Sequence, residues 1–128
     1  MLHKNCYFNR AFFNRLTKPD HRAMKDKKEL LSRVKATVKA TDPTATVILF
    51  GSYARGDYRA DSDLDLLILI DKDTIKPADK KKITYPLYDI EFETGTLISP
   101  LVFSKKDWES RKGKTPFYEN VRKEGKIL

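Results

Sequence analysis

The chain reads as one small mixed α/β domain, and three observations predict this. A length of 128 residues suits a single domain with one real core. Short, wholly apolar, β-branched runs alternate with stretches whose apolar residues recur at helical spacing. Turn-forming Gly, Pro and Asp residues separate the two kinds of segment. The resulting order is α-β-β-α-β-α-α.

Residues 1–23 hold no sustained period, although Phe8, Phe12 and Phe13 could form one helical turn against a neighbour. They read as a poorly ordered N-terminal extension, with the domain proper spanning 24–128 and Met24 as its natural start. From Met24, "MKDKKELLSRVKATVKA" sets Leu30, Leu31, Val34 and Val38 on one helical face with lysines elsewhere. "TDPT" at 41–44 ends that helix, because Pro43 drives Asp42 out of the α region. "TVILF" (46–50) and "LDLLILI" (64–70) are buried strands. "ITYPLYDIEFETG" fits two periods: Ile83, Leu87 and Ile90 fit a helix, whereas Tyr88, Ile90 and Phe92 alternate with acids as in a strand. The helix is preferred. "LISPLVFS" (97–104) is a third strand, and Pro100 marks it as an edge or a bulge. Ser104 with Asp107 caps a helix through Trp108 that Gly113 ends. Thr115 and Pro116 open a last helix, with Phe117 and Val121 inward and Gly125 as its stop.

Composition narrows the function. An apolar content of 40% beside 34% charged residues is that of an ordinary globular protein. No apolar run approaches the ~18 residues of a membrane span, and the basic N-terminus lacks the apolar core of a secretory signal. The single cysteine, Cys6, excludes an internal disulfide and a zinc cluster, so a cytoplasmic protein is expected. The net charge of +8 is uneven. Residues 1–28 carry 8 basic and 2 acidic groups, residues 104–128 carry 8 and 4, and residues 29–103 carry 10 and 12. Basic ends can contact nucleic acid or an acidic partner, but solvated faces are the commoner outcome.

The slightly acidic middle holds the chemistry. In "ILFGSYARGDYRADSDLDLLILI" two apolar runs flank Gly51-Ser52 and the acids Asp61, Asp63 and Asp65. Asp63 and Asp65 stand at the mouth of the second strand, where alternation turns both carboxylates one way and Leu64 the other. About 6–7 Å apart at Cα, they can share one cation or bridge two. Magnesium suits them, since it is held by one or two carboxylates plus substrate phosphates. An isolated Asp-x-Asp is usually just solvated; here acids at alternate positions repel one another without a cation. Gly51 lets the backbone approach a ligand closely, the next N–H groups can meet phosphate, and the Ser52 hydroxyl adds a donor. A plain turn glycine is the ordinary alternative. A P-loop is rejected, because Asp57 and Tyr58 stand where it needs Lys and Ser or Thr. "RGD" at 55–57 reads as chance in a chain with no secretion signal.

Gly51-Ser52-x10-Asp63-x-Asp65 resembles the signature of the polymerase-beta-type nucleotidyltransferase superfamily, and is most similar to the minimal nucleotidyltransferases, small proteins often paired with HEPN-domain partners. The resemblance covers about residues 24–128, since "PFYENVRKEGKIL" is similar to that family's last helix and tail. It implies a small mixed sheet of three or more strands with helices on one side. It implies two Mg²⁺ ions on Asp63 and Asp65, with Gly51 and Ser52 holding a nucleoside triphosphate, taken as ATP. A hydroxyl would attack the α-phosphate and release pyrophosphate. Arg55 would either steady a phosphate or pair with a neighbouring Asp. One departure stands out: the superfamily's third carboxylate falls near Ser99, and "LISPLVFS" has no acid. Asp89 or Glu91 could replace it only if 88–93 were a strand beside the site. Three readings follow. The first is an enzyme transferring a nucleoside monophosphate, with ATP taken as donor, to an unknown acceptor hydroxyl. The second is a catalytically weak or inactive binding module acting as the antitoxin-like partner of a HEPN-type protein. Behind both stands a basic nucleic-acid binder.

Overall fold

A computed structural model describes residues 27–128; the extension read over 1–23 and the Met24 start lie outside the described residues. The elements run α1 (Lys27–Thr41), β1 (Thr46–Phe50), α2 (Gly51–Arg55), β2 (Leu64–Ile70), α3 (Pro77–Thr94), β3 (Ile98–Ser104), α4 (Lys105–Glu109), α5 (Pro116–Glu124) and β4 (Lys126–Ile127). The strands form one mixed sheet in the order β3-β2-β1-β4, with β1 antiparallel to β2 and β4, and β2 parallel to β3.

The apolar pattern of β2 explains the layering. Leu66 to Ile70 are all buried, so this strand needs cover on both faces. Leu64, Leu66, Ile68 and Ile70 join Val47 and Leu49 under α1 (Leu30, Val34, Val38) and α3 (Ile83, Leu87, Ile90). The alternate residues Leu67 and Leu69 pack on the other face with Ile48, Phe50, Trp108, Tyr118 and Val121. The mixed sheet with helices is thus present, but the helices lie on both faces. The two long ones share one side, and the short α4 and α5 cover the other, where Leu67 and Leu69 would otherwise be wet.

Segment 83–93 is helical, because Ile83, Leu87 and Ile90 reach the core together at i, i+4 and i+7 while Tyr88 stays 45% exposed. Pro86 is accommodated inside α3. Pro100 stands in the edge strand β3, the position a missing N–H tolerates. Ser104 Oγ accepts from the Asp107 N–H at 2.9 Å, as its spacing predicts, but α4 stops at Glu109 and Gly113 lies in the following turn. Thr115 Oγ1 accepts from the Tyr118 N–H at 3.1 Å and opens α5. Among the described residues, no helix is long and apolar enough to cross a membrane.

Candidate active site

The connection from β1 to β2 carries the site, and both ends are fixed by pairing of Phe50 with Asp65. Directly after Phe50 the chain turns at Gly51 into the single turn of α2. Tyr53 and Ala54 anchor that turn in the core. The Tyr53 ring stacks on Tyr58 at 4.2 Å, and Lys27 Nζ donates to the Tyr53 carbonyl at 2.9 Å while lying over the Tyr58 ring. The far end closes through the Arg59 N–H donating to Ser62 Oγ at 2.7 Å. Asp63 follows at once, and Asp65 is the second residue of β2. Asp61 lies exposed in the preceding turn.

Gly51 and Asp65 are in close apposition. Gly51 has φ +73°, a conformation that L residues rarely adopt, and a Cβ there would collide with the Asp65 carboxylate. The glycine therefore gives the carboxylate its room. Replacing it with alanine is expected to cost about 1–2 kcal/mol in the left-handed backbone alone, and the methyl should displace Asp65 as well. A thermal melt should fall for Gly51→Ala and stay near the parent for Ser52→Ala, whose position on α2 asks nothing of glycine. Equal melts would show that the connection relaxes freely.

The electrostatics suit a cation. Partial burial first, and the Asp63 charge second, push the Asp65 carboxyl above the usual range, with Arg55 opposing and Glu124 adding to the rise. A partly buried carboxylate whose charge is disfavoured, with a second carboxylate two residues away, is a donor set a hard cation would relieve. Ser99 is the parallel-register partner of Asp65, and its hydroxyl donates to Asp63 Oδ2 at 3.4 Å. The position read as the third carboxylate's is therefore beside the pair, and it holds a hydroxyl. Neither proposed substitute replaces it. Residues 88–93 are helix, Asp89 is exposed, and Glu91 Oε2 accepts from the Ile98 N–H at 2.8 Å. Among the described residues, no group of three or more His, Cys, Asp or Glu side chains gathers as a metal site.

Glu124 was not legible as a site residue. It is the last residue of α5, and its Oε1 accepts from the Gly51 N–H at 3.2 Å. Arg55 Nη1 donates to Glu124 Oε1 at 3.3 Å and Oε2 at 3.2 Å, and Arg55 Nε lies 3.4 Å from Asp57 Oδ2. Of the two roles open to Arg55, this geometry displays ion pairing, and Glu124 foremost holds its guanidinium charged. The approach depends on Gly125, where a Cβ would meet the Val121 carbonyl and Ile48 Cγ2, the latter at 2.9 Å. Sequence offered only that glycine, which read as a helix stop.

The arrangement has relatives. The model of the nucleotidyltransferase domain family matches residues 28–123, which take in the three long strands and, apart from the end residues Lys27 and Glu124, the five helices of the described residues. Two proteins of Methanocaldococcus jannaschii, each described as a candidate protein adenylyltransferase, are similar to the chain. One is 43% identical over 65 residues, covering 50% of this chain and 64% of that relative, so the chain spans just under two thirds of its length. The other is 38% identical over 85 residues, covering 64% of this chain and 75% of that relative. No solved structure matches at comparable significance. Fold, family model and relatives agree, and the chain belongs to the nucleotidyltransferase domain family.

Proposed function

We propose that this chain transfers AMP from ATP to a hydroxyl side chain of a protein acceptor, in a magnesium-dependent reaction. The observation that carries the reading is the Asp65 carboxylate lying against the Cβ-less Gly51 with Asp63 two residues away, where burial first and the Asp63 charge second push the Asp65 carboxyl up. Asp63 and Asp65 would hold the metal, and Gly51, Ser52 and Arg55 the triphosphate. Bound magnesium supplies charge neutralisation and Lewis-acid polarisation of the phosphates. The family model supports nucleotide transfer, and the names of the two archaeal relatives support AMP and a protein acceptor.

In this reading the acceptor oxygen attacks the α-phosphorus, the bond to the β-phosphate bridge breaks, and pyrophosphate leaves. The chain's own work is to hold the triphosphate against the carboxylate pair with the acceptor in line. The Ser99 hydroxyl tethers Asp63 but is a poor proton acceptor, so base help worth typically ~10²–10⁴-fold is weak here. Slow or acceptor-dependent turnover is the expected result.

The same Ser99 favours one second reading, a nucleotide-binding partner of a HEPN-type protein with little transfer activity. Incubation with ATP labelled in the α-phosphate, magnesium and a candidate HEPN-type partner separates the two. Label on a hydroxyl side chain of the partner, lost in Asp63→Asn, is expected. Nucleotide binding with no labelled acceptor would replace the enzyme with the binding module.

A further inference from the structure

We propose that Glu124 is a built-in competitor for the phosphate subsite, a carboxylate gate that the triphosphate must displace; this rests on the nucleotide-binding reading above. The donors that would grip a phosphate oxygen here are the Gly51 N–H and the Arg55 guanidinium, and both are turned to Glu124. A backbone N–H beside a forked guanidinium is a general receptor for oxyanions, and a carboxylate satisfies it much as a phosphate does. One donor set cannot serve both anions fully, so the negative Glu124 must yield as the negative phosphate arrives.

The pair is built to open. The Arg55 and Glu124 side chains are 48% and 28% exposed, so solvent screens their attraction. Glu124 also ends its helix, where only the side chain needs to swing. Its backbone stays fixed because Gly125 lets the end of α5 rest against Ile48 of β1. A ligand that binds only the released form has its apparent affinity reduced by the closed fraction. The gate thus raises the triphosphate concentration at which the site fills, and favours ligands with enough phosphate charge to displace a carboxylate.

Calorimetric titration of the parent, Glu124→Gln and Glu124→Ala with ATP and Mg²⁺ tests this, with inorganic triphosphate and Mg²⁺ as a second ligand that has no base. Both variants should bind each ligand about two- to five-fold more tightly, the range that exposed ion pairs of this kind are worth. Equal or weaker binding by the variants, with the parent still binding, would overturn the gate and leave the nucleotide site standing. Weaker binding would make Glu124 a supporting residue of that site. A gain confined to ATP would also overturn it, since the gate acts on phosphate alone. If the parent shows no magnesium-dependent binding of either ligand, the nucleotide reading fails and the gate with it.

Discussion

Converting Asp63 and Asp65 together to asparagine is expected to abolish magnesium-dependent ATP binding while the fold survives. Each single change should cut transfer by about 10²–10³-fold, the scale on which enzymes lose one preorganised electrostatic partner of the transition state. The fold should survive because neither carboxylate supports it. The Asp65 carboxyl titrates above its usual range through burial and the Asp63 charge. Its charged form is therefore worse off in the native state than in the unfolded chain. That contribution to stability is present at low pH and lost as pH rises through the raised value. At neutral pH, without metal, the asparagine variants should melt no lower than the parent. Calorimetry with Mg²⁺ and ATP, beside a thermal melt of the same samples, checks both halves. Unchanged affinity in the double variant would remove the pair from the metal role, and a deep fall in the metal-free melt would make it structural.

The largest effect on stability is expected at Ile68. It is fully buried in the central strand, paired with Val47 on one side and Val102 on the other, beneath α1 and α3. Ile68→Ala removes three carbons from a site closed by neighbours on both strands and by two helices, leaving little room for collapse. A loss of about 2–5 kcal/mol is expected, a large share of the ~5–15 kcal/mol available to a domain. Leu101→Ala is the control: Leu101 is 42% exposed on the edge strand, and its loss should stay within ~0.5 kcal/mol. Urea melts of the two variants make the comparison. Similar losses would mean that the edge of the sheet is covered in solution.

What the sequence disclosed follows from the range of the forces involved. The three long strands were legible as short apolar runs, and the central "LDLLILI" most plainly, because burial on both faces demands a near-continuous apolar run. The cap at Ser104 was legible because it joins residues three apart, and the helix start at Thr115 because Pro116 follows it directly. The period of 83–93 was double, and only the facing helix α1 decides it, by offering Leu30, Val34 and Val38 to a helical stripe. β4 left no trace, since Lys126 and Ile127 are exposed and pair with β1 through backbone alone. Helices on both faces were not foreseen, because Leu67 and Leu69 look the same in sequence whichever layer covers them. In the site, Gly51, Asp63 and Asp65 share one short stretch and could be read together. Glu124 lies 73 positions from Gly51 and reads in isolation as one more charge in a helical tail.

That separation also ranks the parts of the site by the entropy of assembling them. Phe50 and Asp65 are brought together by a short hairpin-like closure, so the carboxylate pair and Gly51 are delivered by local chain geometry. Closing the much longer span to Glu124 from the unfolded chain costs about 1–2 kcal/mol more, by the logarithmic growth of loop entropy. Contacts of low sequence separation reward the chain early, and those of high separation only once most of the native order exists. On the proposed reading, the carboxylate pair and Gly51 would therefore assemble at lower entropic cost than their contact with Glu124. If the proposed gate holds, a molecule whose last helix has frayed would keep the carboxylate pair and lose the contact that restrains the site.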